Sequence, residues 1–167
     1  MENEDRYEKD FKDFAALLNK HGVDYLIVGA YTVIYHTRVA RFTKDIDFWI
    51  RPMNENAQKC AEAVKEFFGL DVKKEDLLVP GAIHFIGQAP FRIDVFNAQG
   101  ELDFEKAWNN KIEGKFRDVN VHYISREDLI ALKQCADRQH DRKDVTRLNR
   151  KTGKRPKNAR NCRLGNV

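Results

Sequence analysis

Residues 41–50, with the sequence RFTKDIDFWI, contain the pattern from which the fold is predicted. Ile46, Phe48 and Ile50 alternate with Asp45 and Asp47, and a period of two is typical of a β-strand with one buried face. The apolar side chains are expected to face a core, and the carboxylates are expected to lie on the other face. This stretch therefore predicts a strand that carries an Asp-x-Asp pair within a central sheet.

Strand and helix patterns alternate on both sides of this stretch. Strands are predicted at residues 25–28, 83–86, 91–96 and 116–124, and helices at residues 5–20, 30–36, 55–68 (with Asn54 as N-cap), 104–108, 126–138 and 140–149. Residues 71–80 are predicted to be a loop and residues 87–90 a turn. This order predicts an α/β (α+β) fold with a mixed β-sheet flanked by helices and a short C-terminal helical segment.

The length and the charge distribution indicate one domain and a tail. The chain has 167 residues, 42% of them hydrophobic, which fits a single domain over residues 1–150. Residues 151–167 contain six Lys or Arg residues and no acid, so they are predicted to form a basic, flexible tail. The remaining 24 basic and 26 acidic residues give the body a charge of about −2, which does not indicate a general nucleic-acid-binding surface.

Targeting signals are not apparent in the sequence. The chain lacks a run of eighteen apolar residues, and residues 1–10 lack the basic and apolar parts of a secretion signal. The three cysteines, an odd number without a C-x-x-C pair, favour reduced thiols over a disulfide framework or a cysteine zinc site. We therefore expect a cytoplasmic protein without a membrane partner.

The Asp-x-Asp pair is the first candidate for chemistry. In an extended chain Asp45 and Asp47 share a face with Arg41 and Thr43, and their Cα atoms are about 7 Å apart. Two charges at that separation repel by about 2 kcal/mol at an effective dielectric of about 20, and a divalent cation turns the repulsion into attraction. Ligands that are all oxygen suit Mg²⁺ or Mn²⁺ better than zinc. The alternative is a pair of solvated side chains on an exposed strand face.

Two further positions extend this candidate site. Asp94 alternates with Ile93 and Val95, which places it on the face opposite the core and makes it a possible third ligand of a two-metal site. A local ion pair with Arg92, on the same face, is the alternative. Gly29 follows a predicted strand and precedes a helix, where backbone N–H groups approach a phosphate closely. A plain turn glycine is the alternative there.

Together these motifs resemble the nucleotidyltransferase superfamily that includes DNA polymerase beta. The matching segments are VGA at 28–30, RFTKDID at 41–47 and RIDVF at 92–96. The segment ISREDLIALK at 124–133, followed by Arg138, Asp141 and Asp144, is similar to a bacterial branch that includes the nucleotidyltransferase toxins of type IV toxin–antitoxin systems. A salt-bridged helix surface is the alternative for Lys133 and these three side chains. The resemblance covers roughly residues 11–148.

The resemblance implies a nucleotidyltransferase that uses two Mg²⁺ (or Mn²⁺) ions. Asp45 and Asp47 would bind both ions, and Asp94 would bind the catalytic ion and help to deprotonate the attacking hydroxyl. The implied nucleotide-binding residues are Gly29, Ala30, Arg41, Thr43, Lys44 and Lys133. A nucleoside triphosphate such as ATP would donate its nucleoside monophosphate to a hydroxyl of RNA (for example tRNA), of a protein or of a small molecule, with release of pyrophosphate.

One feature departs from the superfamily pattern. Its loop is usually Gly-Gly or Gly-Ser, whereas this chain has Gly29 and Ala30, and alanine offers a phosphate no hydroxyl. Tyr31 or Thr32 would have to substitute. Two other functions therefore stay open: a weak or inactive nucleotide- or partner-binding protein resembling an antitoxin, and an RNA-binding protein that acts through the basic tail.

Overall fold

The computed structural model describes residues 2–87 and 92–150, with side chains from Tyr7 onward. The predicted turn at 88–90, Phe91 and the predicted tail at 151–167 lie outside these residues. The helices are α1 (Glu2–Lys20), α2 (Gly29–Thr37), α3 (Asn54–Phe68), α4 (Lys74–Leu78), α5 (Phe104–Asn109), α6 (Arg126–Ala136) and α7 (Gln139–Arg150). The strands are β1 (Tyr25–Val28), β2 (Asp45–Ile50), β3 (Ile83–Ile86), β4 (Arg92–Phe96), β5 (Ile112–Phe116) and β6 (Val119–Tyr123).

The six strands form one mixed sheet in the order β3-β4-β2-β1-β6-β5. The pairs β2/β4 and β1/β6 are parallel, and β1/β2, β3/β4 and β5/β6 are antiparallel. This confirms the predicted α+β class with a mixed sheet between helices. The central strands β1, β2 and β4 are therefore neighbours although β4 is far from β1 in sequence.

The apolar side of β2 packs on the first two long helices. Phe48 is fully buried and makes an edge-to-face contact with Phe14 of α1, with ring centroids 5.5 Å apart. Ile46 and Ile50 belong to the same cluster, together with Val64 of α3. A shift of one residue in strand register would turn these side chains to the opposite face, so the alternation strongly fixes the register.

The opposite face of the sheet carries a second apolar cluster. Trp49 packs against Phe104 of α5 with ring centroids 5.1 Å apart, and Phe96, Leu129 and Leu148 join them. This cluster attaches α5, α6 and α7 to the same face that carries the odd-numbered side chains of β2. The C-terminal helices are thereby held beside Asp45 and Asp47.

Several sequence-based element assignments were wrong. The strand predicted at 41–50 begins only at Asp45, so Arg41 and Thr43 belong to the segment before the strand. The predicted loop at 71–80 contains the one-turn helix α4, which buries Leu77. Asn54 is the first residue of α3, and the N-cap is Met53 without a side-chain hydrogen bond.

The single strand predicted at 116–124 corresponds to the last residue of β5, a turn and all of β6. β5 and β6 form a hairpin, and Arg117 at its turn has a φ of 53°. The first strand, IEGKF, was missed because it has a central glycine and two charged residues, which weaken the strand pattern.

The seven helices and two of the three cysteines, Cys60 and Cys135, lie within the described residues. No helix among them combines the length and the apolar character that crossing a bilayer requires. Cys60 is a free, buried thiol. Cys135 is disulfide-bonded, so the expectation of three reduced thiols is wrong for that residue. Sequence spacing could not show this, because a disulfide depends on which side chains meet in space.

Candidate active site

Three carboxylates lie side by side at one end of the sheet. In the parallel pairing of β2 and β4, Asp47 lies opposite Asp94, and Asp45 lies opposite Arg92. Residues that face each other on neighbouring strands share a face and are about 5 Å apart. Asp45, Asp47 and Asp94 therefore lie on one face; we refer to them as the carboxylate site.

Gly29 forms the other wall of this site. Val28, at the end of β1, lies opposite Asp47, and Gly29 then opens α2 with a φ of 69°. A Cβ atom at position 29 would overlap Oδ2 of Asp47 and lie 2.9 Å from its Cγ. Glycine is thus required by both the backbone conformation and the close approach of the carboxylate. The N-terminus of α2, which carries a partial positive charge, begins at this contact.

Asp47 is the least satisfied of the three carboxylates. Among the described residues, no group donates a hydrogen bond to its side chain. Burial, followed by repulsion from Asp45 and Asp94, raises the pKa of Asp47 from 3.8 to about 7 against the opposing effect of Lys133. A carboxylate in this environment is stabilised when positive charge approaches it.

Arg92 supplies positive charge to the other two carboxylates. Its Nε and Nη2 atoms donate to Oδ1 and Oδ2 of Asp94 at 2.7 and 3.0 Å, and Nη2 lies 3.4 Å from Oδ2 of Asp45. Burial raises the pKa of Asp94, and these bonds counteract the rise. Asp94 is 5% exposed, but the Arg92 side chain is 45% exposed, so the ion pair opens towards solvent.

The hydroxyl groups near the glycine loop are used within the fold. Thr43 Oγ1 lies 2.9 Å from Oδ1 of Asp45, to which it donates. Thr32 is buried and donates its hydroxyl hydrogen to the backbone oxygen of Ile27 at 2.7 Å. Tyr31 packs edge-to-face against Phe116, with ring centroids 5.1 Å apart, on the α1 side of the sheet. Thr32 therefore does not replace the hydroxyl that Ala30 lacks.

A buried ion cluster of Arg41, Lys133, Asp141 and Asp144 adjoins the carboxylate site. Lys133 Nζ lies 3.1 Å from Oδ1 of Asp141 and 2.9 Å from Oδ2 of Asp144. Arg41 Nη1 contacts the same oxygen of Asp144 at 2.7 Å. Asp141, Asp144 and Lys133 are only 2%, 1% and 8% exposed, so the alternative of a solvated helix surface does not hold for them.

This cluster joins three parts of the chain at the site. Arg41 precedes β2, Lys133 belongs to α6 and Asp144 to α7. A buried ion cluster often stabilises a fold no more than an apolar set of the same volume, because its charges lose hydration. The cluster nevertheless has an electrostatic effect on the site, since Lys133 lowers the pKa of Asp47.

Two exposed aromatic residues near the carboxylates were missed by the sequence-based prediction. Phe85 lies opposite Asp94 in the β3/β4 pairing, is 61% exposed, and has the Arg92 guanidinium carbon 4.3 Å from its ring centroid. Phe42 is 64% exposed and lies three residues before Asp45. Only the strand register, which the hydrophobic pattern does not give, places Phe85 beside Asp94.

The side chains of the carboxylate site are not arranged as a closed metal cage. Within residues 7–87 and 92–150, no group of three His, Cys, Asp or Glu side chains is placed to hold an ion as they stand. At the carboxylate site, Arg92 keeps the carboxylates from converging on one point, because its guanidinium lies between Asp94 and Asp45. The donor set itself is entirely oxygen and therefore suits a hard divalent cation.

Comparison with known proteins identifies the class. The chain matches the family described as "Nucleotidyl transferase of unknown function (DUF2204)" over residues 7–163, and it belongs to this family. The predicted resemblance to the nucleotidyltransferase superfamily is thus confirmed, whereas a role in toxin–antitoxin systems stays a prediction. No curated protein matches the sequence.

Two solved structures share the fold of this chain. One is an antigenic nucleotidyltransferase-like protein from Paracoccidioides brasiliensis, with a TM-score of 0.60 and 17% identity over 86% of this chain and 75% of that one. Another is the lincosamide antibiotic adenylyltransferase LnuA with lincomycin bound, with a TM-score of 0.54 and 17% identity over 84% of this chain and 95% of that one. At this level of identity the similarity shows the fold alone.

Proposed function

We propose that the protein transfers a nucleoside monophosphate from a nucleoside triphosphate to an acceptor hydroxyl, in a reaction that depends on divalent metal ions. The observation that carries the proposal is the carboxylate site, in which acids from two neighbouring strands share one face. Membership of a nucleotidyl transferase family supports the same conclusion.

The residues present fit two Mg²⁺ or Mn²⁺ ions. Asp47 would help to hold the ions, since its carboxylate lies beside the other two acids and accepts no hydrogen bond in the described part of the chain. Asp45 and Asp94 would complete the ligand set when Arg92, whose side chain is 45% exposed, turns towards solvent. When bound, the ions would offset charge on the phosphates and favour ionisation of the acceptor hydroxyl.

The triphosphate is assigned to the β1 side of the site. Gly29 and Ala30 begin α2, where free backbone N–H groups and the helix dipole favour an anion. Lys133 lies near Asp47, and Lys44 directly precedes the carboxylate site and is exposed. Arg41 and Thr43 border the same region, so the nucleotide-binding set predicted from the sequence stays our proposal.

The reaction requires little covalent chemistry from the protein. The acceptor oxygen forms a bond to the α-phosphorus, the bond from that phosphorus to the bridging oxygen breaks, and pyrophosphate leaves. Asp94 would take the hydroxyl proton and pass it to solvent. Burial raises the pKa of Asp94, which makes its carboxylate a stronger base than an exposed one. Positioning of both substrates would supply most of the remaining acceleration.

The test is the Asp47→Asn variant, assayed with each α-labelled nucleoside triphosphate and Mg²⁺ against total RNA, lysate protein and small-molecule acceptors. Loss of a metal ligand is expected to lower transfer by more than about 100-fold, because even outer partners of metal ligands are worth 10–100-fold. The Asp47→Asn protein should stay folded without metal, because a neutral amide at position 47 is not repelled by the carboxylates of Asp45 and Asp94.

A matched control is Asp71→Asn, which neutralises an exposed aspartate paired with Lys65 away from the site. It is expected to transfer label as the wild type does. An Asp47→Asn protein that turns over at the rate of the control would disprove the assignment.

A second candidate is a nucleotide-binding protein without transfer activity. It is favoured by the Gly-Ala loop and by Thr32, whose hydroxyl is engaged with the backbone of β1. This candidate would be supported if the protein bound a triphosphate in the presence of Mg²⁺ but released no pyrophosphate with any acceptor. Cytoplasmic location stays a prediction in either case.

A further inference from the structure

The outer face of α7 is densely basic. Asp141, Asp144 and Leu148 are buried at helical spacing, and they fix which side of α7 meets the core. The opposite side faces solvent and carries cations from the residue before the helix to the last residue of the helix. We refer to these cations as the α7 cation surface: Arg138, Arg142, Lys143, Arg147 and Arg150.

The acids of α7 leave this surface largely unneutralised. The buried ion cluster contains two carboxylates and two cations, so it is balanced before the outer residues of α7 are counted. Arg138 and Arg147 contact the cluster from outside, with N–O distances of 2.9 and 3.7 Å. Asp137 is the one exposed acid within residues 137–150, and it pairs with Arg142 at 2.7 Å. Five surface cations therefore face one exposed acid.

The rest of the body has the opposite charge. Residues 1–150 contain 24 basic and 26 acidic side chains, and 19 basic and 26 acidic ones remain without the α7 cation surface. The small net charge of the body thus conceals a local excess of positive charge. One face of positive sign on an otherwise acidic body attracts polyanions to that face.

Helix stability does not account for the cations in the middle of the surface. Arg147 and Arg150 lie in the last turn of α7, where cations stabilise a helix through its dipole. Arg142 and Lys143 lie near the start of α7, where that effect is absent. Lys143 and Arg147 are like charges four residues apart, which destabilises a helix slightly. The pair of Arg142 with Asp137 is 69% and 63% exposed and contributes little.

The chemistry of the surface favours the phosphate backbone of a nucleic acid as its partner. Along residues 138–150 the apolar side chains are Val145, which is half-buried, and Leu148, which is buried. An amphipathic helix needs exposed apolar groups to enter a membrane, and the centre of a protein interface needs them as well. These residues also include no Phe, Tyr or Trp ring on which the bases of a single strand would stack. Charge alone remains, and it is the main source of sequence-independent binding to duplexes.

We propose that the α7 cation surface binds the phosphate backbone of a nucleic acid duplex without reading its sequence. The surface extends about 18 Å from Arg138 to Arg150 at 1.5 Å per residue. That length faces several phosphates, since a duplex carries one charge per about 1.7 Å of its axis. The surface includes no residue of the carboxylate site, so this binding does not depend on nucleotidyl transfer.

The test measures binding of fluorescein-labelled RNA and DNA duplexes of about 20 base pairs to the full chain by anisotropy, between about 50 and 200 mM KCl, with chelator and without triphosphate. The double variant Arg142→Gln/Lys143→Gln removes the two charges that the helix does not need. It is expected to weaken binding by more than about 10-fold at the lowest salt concentration. The slope of log K against log [KCl] should become shallower by about 1.8, because each phosphate contact contributes about 0.9.

The chain offers a matched control in Lys9→Gln/Lys65→Gln. It removes two exposed cations that belong to ion pairs on α1 and α3, and it lowers the net charge by the same amount. Its affinity and salt slope should equal those of the wild type. Arg142→Lys/Lys143→Arg keeps both charges and should also bind as the wild type does. The basic residues at 151–167 are the same in every variant, so they cannot produce a difference between them.

Equal salt slopes for the wild type and the Gln/Gln variant at α7 would overturn the proposal, and so would an equal loss of affinity in the control. Surface-dependent binding that is stronger to vesicles of phosphatidylcholine and phosphatidylserine, or to polyglutamate, would overturn it too, because the partner would then be a membrane or an acidic protein. Surface-dependent binding to either duplex supports it, and the tighter of the two identifies RNA or DNA as the source. A chain that binds duplexes in this way but transfers no nucleotide contradicts only the proposed function.

Discussion

Replacing Gly29 by alanine tests the closest contact of the carboxylate site. Gly29 has a φ of 69°, and a Cβ atom there would overlap Oδ2 of Asp47 and lie 2.9 Å from its Cγ. Ordinary contact begins at 3.4 Å, so the carboxylate carbon must retreat by about 0.5 Å and the overlapped oxygen by more than 1 Å. The backbone conformation alone costs an alanine about 1–2 kcal/mol.

The chain provides a matched control in Gly22→Ala. Gly22 has a φ of 67°, and an added Cβ atom would meet nothing within 4 Å. Both variants are therefore expected to lose similar backbone stability, measured by urea denaturation. Only Gly29→Ala displaces Asp47, and a displacement of about 1 Å at a reacting centre costs about 100-fold in rate.

The assay compares kcat/KM for nucleotidyl transfer and the affinity for Mg²⁺ in the two variants. Gly29→Ala should fall about 100-fold below Gly22→Ala in kcat/KM and bind Mg²⁺ more weakly. If the two variants have equal transfer rates and equal Mg²⁺ affinity, the contact between Gly29 and Asp47 has no role in catalysis, and the reasoning fails.

Three further substitutions test the surrounding structure by urea denaturation. Asp144→Asn should lower the free energy of unfolding by about 3 kcal/mol, because Lys133 then loses one partner in a buried cluster; an unchanged value would show that water replaces the carboxylate. Gly114→Ala should cost about 1–3 kcal/mol, since its Cβ atom would lie 2.6 Å from Oη of Tyr35, and a neutral effect would show that the ring yields freely. Burial lowers the pKa of His36 below 6.5, so the unfolded chain takes up that proton first and this residue disfavours the folded state as the pH drops below 6.5. The free energy of unfolding of the wild type should therefore decrease relative to that of His36→Gln over this range, and identical pH profiles of the two proteins would contradict this role of His36.

The central part of the site follows from local sequence patterns. The alternation of apolar residues with Asp45 and Asp47 decides which face of β2 meets the core, and the same rule applies to Asp94 in β4. Such a pattern is readable because the side-chain period of a strand is two. It does not disclose that β2 and β4 are parallel neighbours, which is what brings Asp47 opposite Asp94.

The remaining parts depend on contacts between distant segments. The buried ion cluster joins Arg41 to Asp144, which are 103 residues apart, and no local pattern predicts that pairing. The charged residues of α6 and α7 were equally compatible with a solvated helix face. Phe85 was read only as part of a hairpin strand, because its position beside Asp94 requires the register of β3 against β4.

The environment of Asp47 links the fold to the proposed chemistry. Its carboxylate is half-buried, lies beside two other acids, and has a pKa raised to about 7 by burial and their repulsion. For stability alone, an asparagine or an apolar residue at the end of β2 would serve better, because neither would be repelled by Asp45 and Asp94. Arg92 relieves the charge of these two acids, while Asp47 receives only the longer-range effects of Lys133 and Arg92. An acid that the fold does not need, held against a glycine by a close contact, is best explained by a cationic ligand that the carboxylates bind together.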